Sequence, residues 1–392
     1  MKILVLSLYY RPDLSAGSFR TTALVRALLE RGPADLQIEV ITTLPNRYST
    51  FQQDAAALET SHRLRIQRIA LPAHRSDIRG QSRAFLRFAR EALTHLPSGP
   101  FDLIFATSSR LMTAVLGAWV ARRMRTPLYL DLRDIFADTI AELLPAPVTW
   151  PARFFFGAVE SWTVRRARRI NLVSPGFENY FRRRYGDLPL SFFTNGIDDE
   201  FLSVPPRQLV RPAADRRIVI LYAGNIGEGQ GLHQILPELA RSLRARARFV
   251  VIGDGGRRAA LETALAGTDN VQLQAPMSRA DLLSAYEAAD VLFLHLGAYT
   301  AFEKVLPSKV FEYAALGKPL LAGVAGYAAQ FIRAEISNAA VFAPCDAAAG
   351  LAAFDSLRIE DQPRPDFVAK YARNGIMQRM ADDVLSVASR RS

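Results

Sequence analysis

The chain has 392 residues, 49% of them hydrophobic and 22% charged, with a single cysteine and a formal net charge of +11. That length and composition predict two globular domains, each with enough apolar material for its own core. The lone Cys345 excludes an internal disulfide and a cysteine-rich metal site, and no apolar run approaches the roughly 20 residues that a membrane-spanning helix requires.

The charge is uneven, +8 over Met1–Glu200 and +3 over Phe201–Ser392, and nearly all of the basic residues are arginine. A basic first half is expected to meet an anionic partner: nucleic acid, anionic lipid or a phosphorylated substrate. Met1–Tyr10 contains a short apolar run that breaks at Arg11-Pro12-Asp13 without a small-residue cleavage site, so it does not read as a signal peptide.

In chain order, Lys2–Leu8 is almost all Ile, Leu and Val, as a strand buried on both faces would be. After a loop with Pro12 and Gly17, Phe19–Arg31 reads as a helix, then Ile38–Thr43 and Leu64–Ala70 as strands. Ser82–Leu96 is predicted helical, Leu103–Thr107 a strand, Arg110–Met124 a helix, Leu128–Leu130 a strand and Pro151–Arg168 a long helix. Ile170–Ser174 and Leu190–Thr194 close this half as strands. Asp199–Asp215, with Pro205-Pro206 and Pro212, reads as a linker. Strand and helix then alternate again from Ile218 to Phe342, and the tail from Pro365 reads as helical. The fold class expected is therefore α/β, with two Rossmann-like doubly wound domains facing a cleft. Their bounds are read as 1–200 and 216–370, with a last helix at 371–392 that can pack back on the first domain.

Phe302–Pro319, FEKVLPSKVFEYAALGKP, is the stretch around which the rest is organised. Pro307 suits a helix entry, Ser308 an N-cap, and Gly317 followed by Pro319 a helix end. Unpaired N–H groups and the charge of Lys309 would then favour a phosphate, with Glu312 one turn further on. An ordinary helix with a solvated Lys and Glu fits the same letters equally well. Gly224-Asn225-Ile226-Gly227 and Gly229-Gln230-Gly231 follow a strand and open a helix, where backbone N–H groups can approach a phosphate. This is not the dinucleotide fingerprint G-x-G-x-x-G. Gly253-Asp254-Gly255-Gly256 follows the next strand, and Gly17 follows the first strand of the chain.

Asp131-Leu132-Arg133-Asp134 ends a strand, and its carboxylates can either position a sugar hydroxyl or pair internally. The spacing is not that of a D-x-D metal pair, and the five histidines show no ligand spacing, so no metal site is expected. No G-x-S-x-G or Cys–His arrangement supports nucleophilic catalysis. Arg83, Arg87 and Arg90 interleave with Phe85, Leu86 and Phe88, while Trp150, Phe154, Phe155, Phe156 and Trp162 precede Arg165, Arg166, Arg168 and Arg169. Such helices can lie on an anionic bilayer, or can pack their rings inward and leave the arginines in water. No RNA- or DNA-binding pattern accompanies them, so no nucleic-acid partner is expected.

Together these residues resemble the retaining glycosyltransferases of family four, which have the GT-B fold, and most closely a WbuB-like subgroup that builds O-antigen and capsule units. The resemblance rests on Tyr10-Arg11-Pro12 with Gly17, Leu132-Arg133-Asp134, Thr194-Asn195-Gly196-Ile197-Asp198, Tyr222–Gly227 and Pro307–Tyr313. It implies a UDP-sugar donor and no cofactor. The implied acceptor is a sugar linked to polyprenyl diphosphate, at the inner face of the cell membrane. It also implies that Glu312 holds the donor ribose as the second Glu of an E-x7-E motif. The first Glu of that motif is replaced by Lys304, with Glu303 one residue away. The Arg and Lys that the wider family sets on the diphosphate appear here as Asn225 and Gln230, and its His before Asp134 appears as Arg133. The donor set implied is Gly17, Asn225, Gly227, Gly253, Pro276, Met277, Ser308, Lys309 and Glu312. Lys309, Asp134 and Glu303 are implied in catalysis. Arg20, Arg133, Arg165, Arg166 and Arg169 are expected on the acceptor or membrane side. A UDP-sugar 2-epimerase of similar shape and a non-enzymatic binder of anionic surfaces remain as other readings.

Overall fold

The computed structural model describes residues 1–13, 15–45, 54–71, 78–97, 99–108, 111–135, 146–202 and 216–389. The chain forms two units, Met1–Asn195 with Arg373–Ser392, and Gly196–Ala372.

The first unit holds strands β1 (Lys2–Leu6), β2 (Gln37–Thr43), β3 (Leu58–Thr60), β4 (Leu64–Ile69), β5 (Leu103–Thr107), β6 (Leu128–Leu132), β7 (Arg169–Leu172) and β8 (Leu190–Ser191). They lie in the order β3-β4-β2-β1-β5-β6-β7-β8, and every pairing is parallel except β3 with β4. The parallel core follows from sequence. Ile3, Leu4, Val5 and Leu6 are all buried, so β1 has no solvent face and must be covered on both sides. The helices are α1 (Ala16–Arg31), α2 (Ile78–Thr94), α3 (Leu111–Met124), α4 (Ala146–Val164) and α5 (Glu178–Tyr185). Most elements lie within a few residues of the expected bounds, and two features depart further. β3, fully exposed and antiparallel, carries no hydrophobic alternation that would announce it. α4 begins before Pro151 and contains that proline.

The second unit begins with α6 (Asp199–Leu202) and holds β9 (Ile218–Ala223), α7 (Leu232–Ser242), β10 (Ala247–Ile252), α8 (Arg258–Ala264), β11 (Val271–Gln274), α9 (Arg279–Ala288) and β12 (Val291–His295). It continues with α10 (Lys309–Ala315), β13 (Leu320–Gly323), α11 (Gly326–Glu335), β14 (Ala339–Phe342), α12 (Ala347–Ser356) and α13 (Pro365–Tyr371). The all-parallel order is β11-β10-β9-β12-β13-β14, the doubly wound arrangement. Alternate residues of each strand feed opposite layers. Val219, Leu221, Leu292 and Leu294 pack with α9, α10 and α11, while Ile220, Tyr222, Val291 and Phe293 pack with α7, α8 and α12.

The chain passes to the second unit at Gly196, earlier than the linker read at Asp199–Asp215. Of that stretch, Asp199–Leu202 is α6 of the second unit, and 203–215 lie outside the described residues. The two ends of the second unit meet side by side, the Ile197 N–H donating to the Tyr371 carbonyl at 2.8 Å. Beyond Ala372 the last helix, α14 (Arg373–Ser389), packs on α1 and belongs to the first unit. Its Asp383 accepts from Tyr129 at 2.8 Å and Ser191 at 2.7 Å, and Arg31 pairs with its Asp382 at 2.5 Å.

Candidate active site

In the second unit the strand order reverses between β9 and β12, and the loops beyond their carboxyl ends carry the glycines. Gly224 directly follows β9 and has φ +148°, a conformation that disfavours any side chain. A Cβ there would run into the Lys309 side chain, 2.8 Å from its Nζ, so Lys309 lies across the Gly224 backbone. Gly253, at φ +150°, follows β10 and packs so closely that a Cβ on it would strike the Gly224 carbonyl. Tyr313 fixes the strand end just before. Its hydroxyl accepts from the Ala223 N–H at 3.1 Å and donates to the Ala223 carbonyl at 3.4 Å. Burial lowers the Lys309 amine from its ordinary value, with Glu312 opposing and Arg279 adding to the shift.

The remainder of the loop is held by amides. Asn225 Nδ2 donates to Gln230 Oε1 at 2.8 Å, and the Gly227 N–H donates to the same oxygen at 3.2 Å. The positions where the resemblance would set cations thus form a neutral clasp that shapes the loop. His295, at the end of β12, is buried and holds the loop from behind. Its Nδ1–H donates to the Gln230 carbonyl at 2.6 Å, and its Nε2 accepts from the Cys345 N–H at 3.0 Å. Desolvation pushes the imidazole down to about 4, so it is neutral at physiological pH.

Ser308 stands at the start of α10, but its hydroxyl makes no capping bond. That helix spans only Lys309–Ala315, so the Lys309 ammonium, not an aligned dipole, supplies the positive charge. Glu303 is exposed in a 3₁₀ turn, Thr300–Lys304. Phe302 of that turn lies against Gly229, and Tyr299 Oη donates to Glu228 at 2.6 Å, which joins the turn to the glycine loop. Gly326, at φ +57°, leaves room for the Glu303 carbonyl. Pro276 and Met277 sit between β11 and α9, both half-buried.

One charged residue at this site was not anticipated. Arg279 opens α9, behind the Ser278 N-cap, and its guanidinium reaches Asp198 at 2.5 Å, Glu200 at 3.6 Å and Glu312 at 3.9 Å. It also covers the Phe201 ring at 4.9 Å. Burial works against its charge, yet Glu312, Asp198 and Glu200 together raise the guanidinium above its ordinary value.

In the first unit, Gly17 lies buried in the first turn of α1, capped by Ser15, whose hydroxyl accepts from the Ser18 N–H at 3.1 Å. Arg20 corrects an expectation, because it is 1% exposed and faces neither water nor a bilayer. Its Nε and Nη2 grip both Asp131 oxygens at 2.9 Å, while Nη1 and Nη2 donate to the Thr194 and Phe193 carbonyls at 2.7 and 2.8 Å. Asn171 adds a 2.8 Å bond to Asp131. The two carboxylates of the Asp131–Asp134 run therefore separate in role. Asp131 is internal, whereas Asp134 presents its side chain to solvent. Protein surrounds Asp134 closely enough that desolvation pushes its carboxyl up to about 6, against the pull of Arg133. Arg133 is half-buried, its N–H donating to Ser108 Oγ at 2.9 Å, and desolvation lowers its guanidinium.

The basic helices resolve differently. Phe85 and Phe88 of α2 are buried and turn their rings into the core, while Leu86 is 66% exposed beside the exposed Arg83, Arg87 and Arg90. On α4, Phe154 is 74% and Phe155 61% exposed, and Arg165 and Arg166 beyond it are exposed too. The Trp150 side chain lies outside those described. Arg169 is drawn away from such a surface by an ion pair with Asp383 at 3.2 Å. Among the described residues, no helix is long and apolar enough to cross a membrane, and no three His, Cys, Asp or Glu side chains cluster as a metal site would require.

Two protein families match in tandem, the Glycosyl transferase 4-like domain over residues 15–195 and the Glycosyl transferases group 1 domain over residues 209–375. A 105-residue stretch is 34% identical to WcaI of Escherichia coli (strain K12), a glycosyl transferase named for colanic acid biosynthesis. The match covers only 26% of this chain and 26% of that relative. Among solved structures, Anabaena Alr3699/HepE in complex with UDP-glucose superposes with a TM-score of 0.60 at 16% identity, covering 100% of this chain and 98% of that one. WaaG, a glycosyltransferase involved in lipopolysaccharide biosynthesis, gives 0.59 at 16% identity, with 100% and 98% covered. Such distant likenesses bear on the fold, while the two matching domains bear on the activity. The chain has the GT-B fold and carries a Glycosyl transferase 4-like domain followed by a Glycosyl transferases group 1 domain.

Proposed function

We propose that the chain transfers a sugar, an N-acetylated or deoxy hexose, from a UDP-sugar to a sugar carried on polyprenyl diphosphate. The reaction would retain the donor's anomeric configuration. The observation that carries the donor half is the Lys309 ammonium laid over the Gly224 backbone at the strand-order reversal, with Glu312 one turn away. A cation held there suits a diphosphate, and a carboxylate beside it suits a pair of ribose hydroxyls. The HepE likeness, solved with UDP-glucose, supports UDP as the nucleotide. WcaI and WaaG support bacterial surface-polysaccharide or lipopolysaccharide synthesis as the setting, including the O-antigen and capsule reading of a WbuB-like subgroup.

In the proposed step, an acceptor hydroxyl oxygen bonds to the anomeric carbon as the bond from that carbon to the diphosphate oxygen breaks. The electron pair stays on the diphosphate, which also takes the acceptor proton, and UDP leaves. Negative charge therefore grows on the leaving group, where the Lys309 ammonium stabilises it. Removing one such donor typically raises a barrier by about 3 kcal/mol. Ser308, Gly253, Pro276 and Met277 would line the nucleotide, and Glu303 would contact the sugar in place of the motif's first Glu. In the first unit, Asp134 and Arg133 would orient the acceptor. Exposed Phe154, Phe155, Arg165 and Arg166 would rest on the inner face of an anionic membrane, which presents the lipid-linked acceptor. No metal and no cofactor is part of this proposal.

The test is a thermal-shift screen of nucleotides and nucleotide-sugars, followed by turnover with the stabilising donor and a polyprenyl-diphosphate-linked sugar. Stabilisation by UDP compounds and a product whose NMR coupling retains the donor anomer would support the reading. No shift with any nucleotide would defeat it, and donor conversion without acceptor would point to an epimerase.

A further inference from the structure

We propose that Arg279 is a positioning residue for the donor site, holding the Glu312 carboxylate where the two ribose hydroxyls reach it. The proposal rests on the reading of Glu312 given above. Arg279 is the first residue of a ten-residue helix, where the peptide dipoles repel a cation. Carboxylates around the guanidinium offset that repulsion, and three stand there. Asp198 is the tightest at 2.5 Å, Glu200 lies at 3.6 Å and Glu312 at 3.9 Å. Asp198 and Glu200 come from the segment that opens the second unit, and Phe201 from the same segment supplies a ring at 4.9 Å beneath the guanidinium plane. One side of Arg279 is thus fixed by α6 and its approach, and the other faces α10.

The difference between the distances sets the division of labour. The Asp198 contact is a charge-assisted hydrogen bond, so it anchors the guanidinium. At 3.9 Å Glu312 is close enough for Coulomb attraction but beyond hydrogen-bond range of that nitrogen. The carboxylate is held by charge, and a carboxylate's two oxygens offer about four acceptor positions in all. Without Arg279, Glu312 would face Asp198 and Glu200 without the cation that stands between them, and like-charge repulsion would turn it away from the nucleoside.

The test compares UDP with 2′,3′-dideoxy-UDP, which lacks both ribose hydroxyls, by calorimetry on the full-length protein. Arg279→Ala should weaken UDP about tenfold, the scale of one hydrogen bond to a charged group, and leave the dideoxy compound within about twofold of wild type. Arg279→Lys should recover part of the loss. Equal weakening of both ligands would mean that Arg279 only supports the fold, and unchanged UDP affinity would remove it from the site; either overturns the proposal. Should Arg279→Ala fail to fold, Asp198→Asn loosens the anchor and should give the same selective loss at smaller size. Wild type that binds neither ligand would instead overturn the UDP reading on which the inference depends.

Discussion

Lys309 lies across the backbone of Gly224, its ammonium where a side chain at position 224 would otherwise stand. Two residues 85 positions apart in sequence thereby share one space, and the lysine leaves room only for glycine at 224. Gly224→Ala would need a Cβ at φ +148° and would also displace the lysine. Lys309→Ala leaves the loop intact and removes only the charge. Both variants are expected to lose turnover, by about 100-fold for Lys309→Ala. Only Gly224→Ala should also lower the melting temperature. Measuring kcat beside a thermal melt separates the two, and near-normal turnover of Lys309→Ala would remove the lysine from the chemistry.

The buried His295 links stability to pH. Its imidazole is pushed down to about 4 in the fold, against an ordinary value near 6.5 in an unfolded chain. Below 6.5 the unfolded chain takes up a proton that the native chain refuses. The contribution is therefore fully present above pH 6.5 and fades as the pH falls toward 4, amounting to about 3 kcal/mol in all. Urea unfolding at pH 7.5 and pH 4.5 should show this loss. His295→Gln should flatten that part of the profile, and an unchanged slope would mean that other groups carry it.

Asp134 offers a pH signature in activity. With its carboxyl pushed up to about 6, it is ionised at neutral pH and becomes protonated as the pH drops through that value. If the ionised form orients the acceptor hydroxyl, kcat/KM for the acceptor falls on the acid side of pH 6, approaching tenfold per unit. Asp134→Asn should lower the plateau and abolish that limb. An acid limb unchanged in Asp134→Asn would assign it to another group.

Much of the fold that carries this site is legible in the sequence, and what is not legible has physical causes. The unbroken apolar runs of β1 and β9 dictate strands covered on both faces, and the glycines after β9 and β10 sit where a doubly wound sheet places a ligand loop. What sequence could not supply is pairing over distance. Arg20 reads as one more surface arginine because its partner Asp131 is 111 positions away. Arg279 escaped notice although a signal was present. An arginine directly after the Ser278 cap puts positive charge at a helix start, which calls for an acidic neighbour. The exposed edge strand β3 gave no periodic pattern at all.

The contrast between Arg20 and the pair Arg165 and Arg166 makes the last prediction. All three add equally to the chain's net charge, but only the latter two are exposed. Arg20→Ala would strip the buried Asp131 of its cation, and breaking one partner of such a pair costs about 3–5 kcal/mol. It should lower the melting temperature steeply. Arg165→Glu with Arg166→Glu should leave the melt nearly unchanged, since exposed charges contribute little to stability. The same double variant should weaken co-sedimentation with anionic vesicles, and replacing Phe154 and Phe155 by Ser should weaken it further. Undiminished vesicle binding in the combined variant would show that the α4 face is not the surface that meets the membrane.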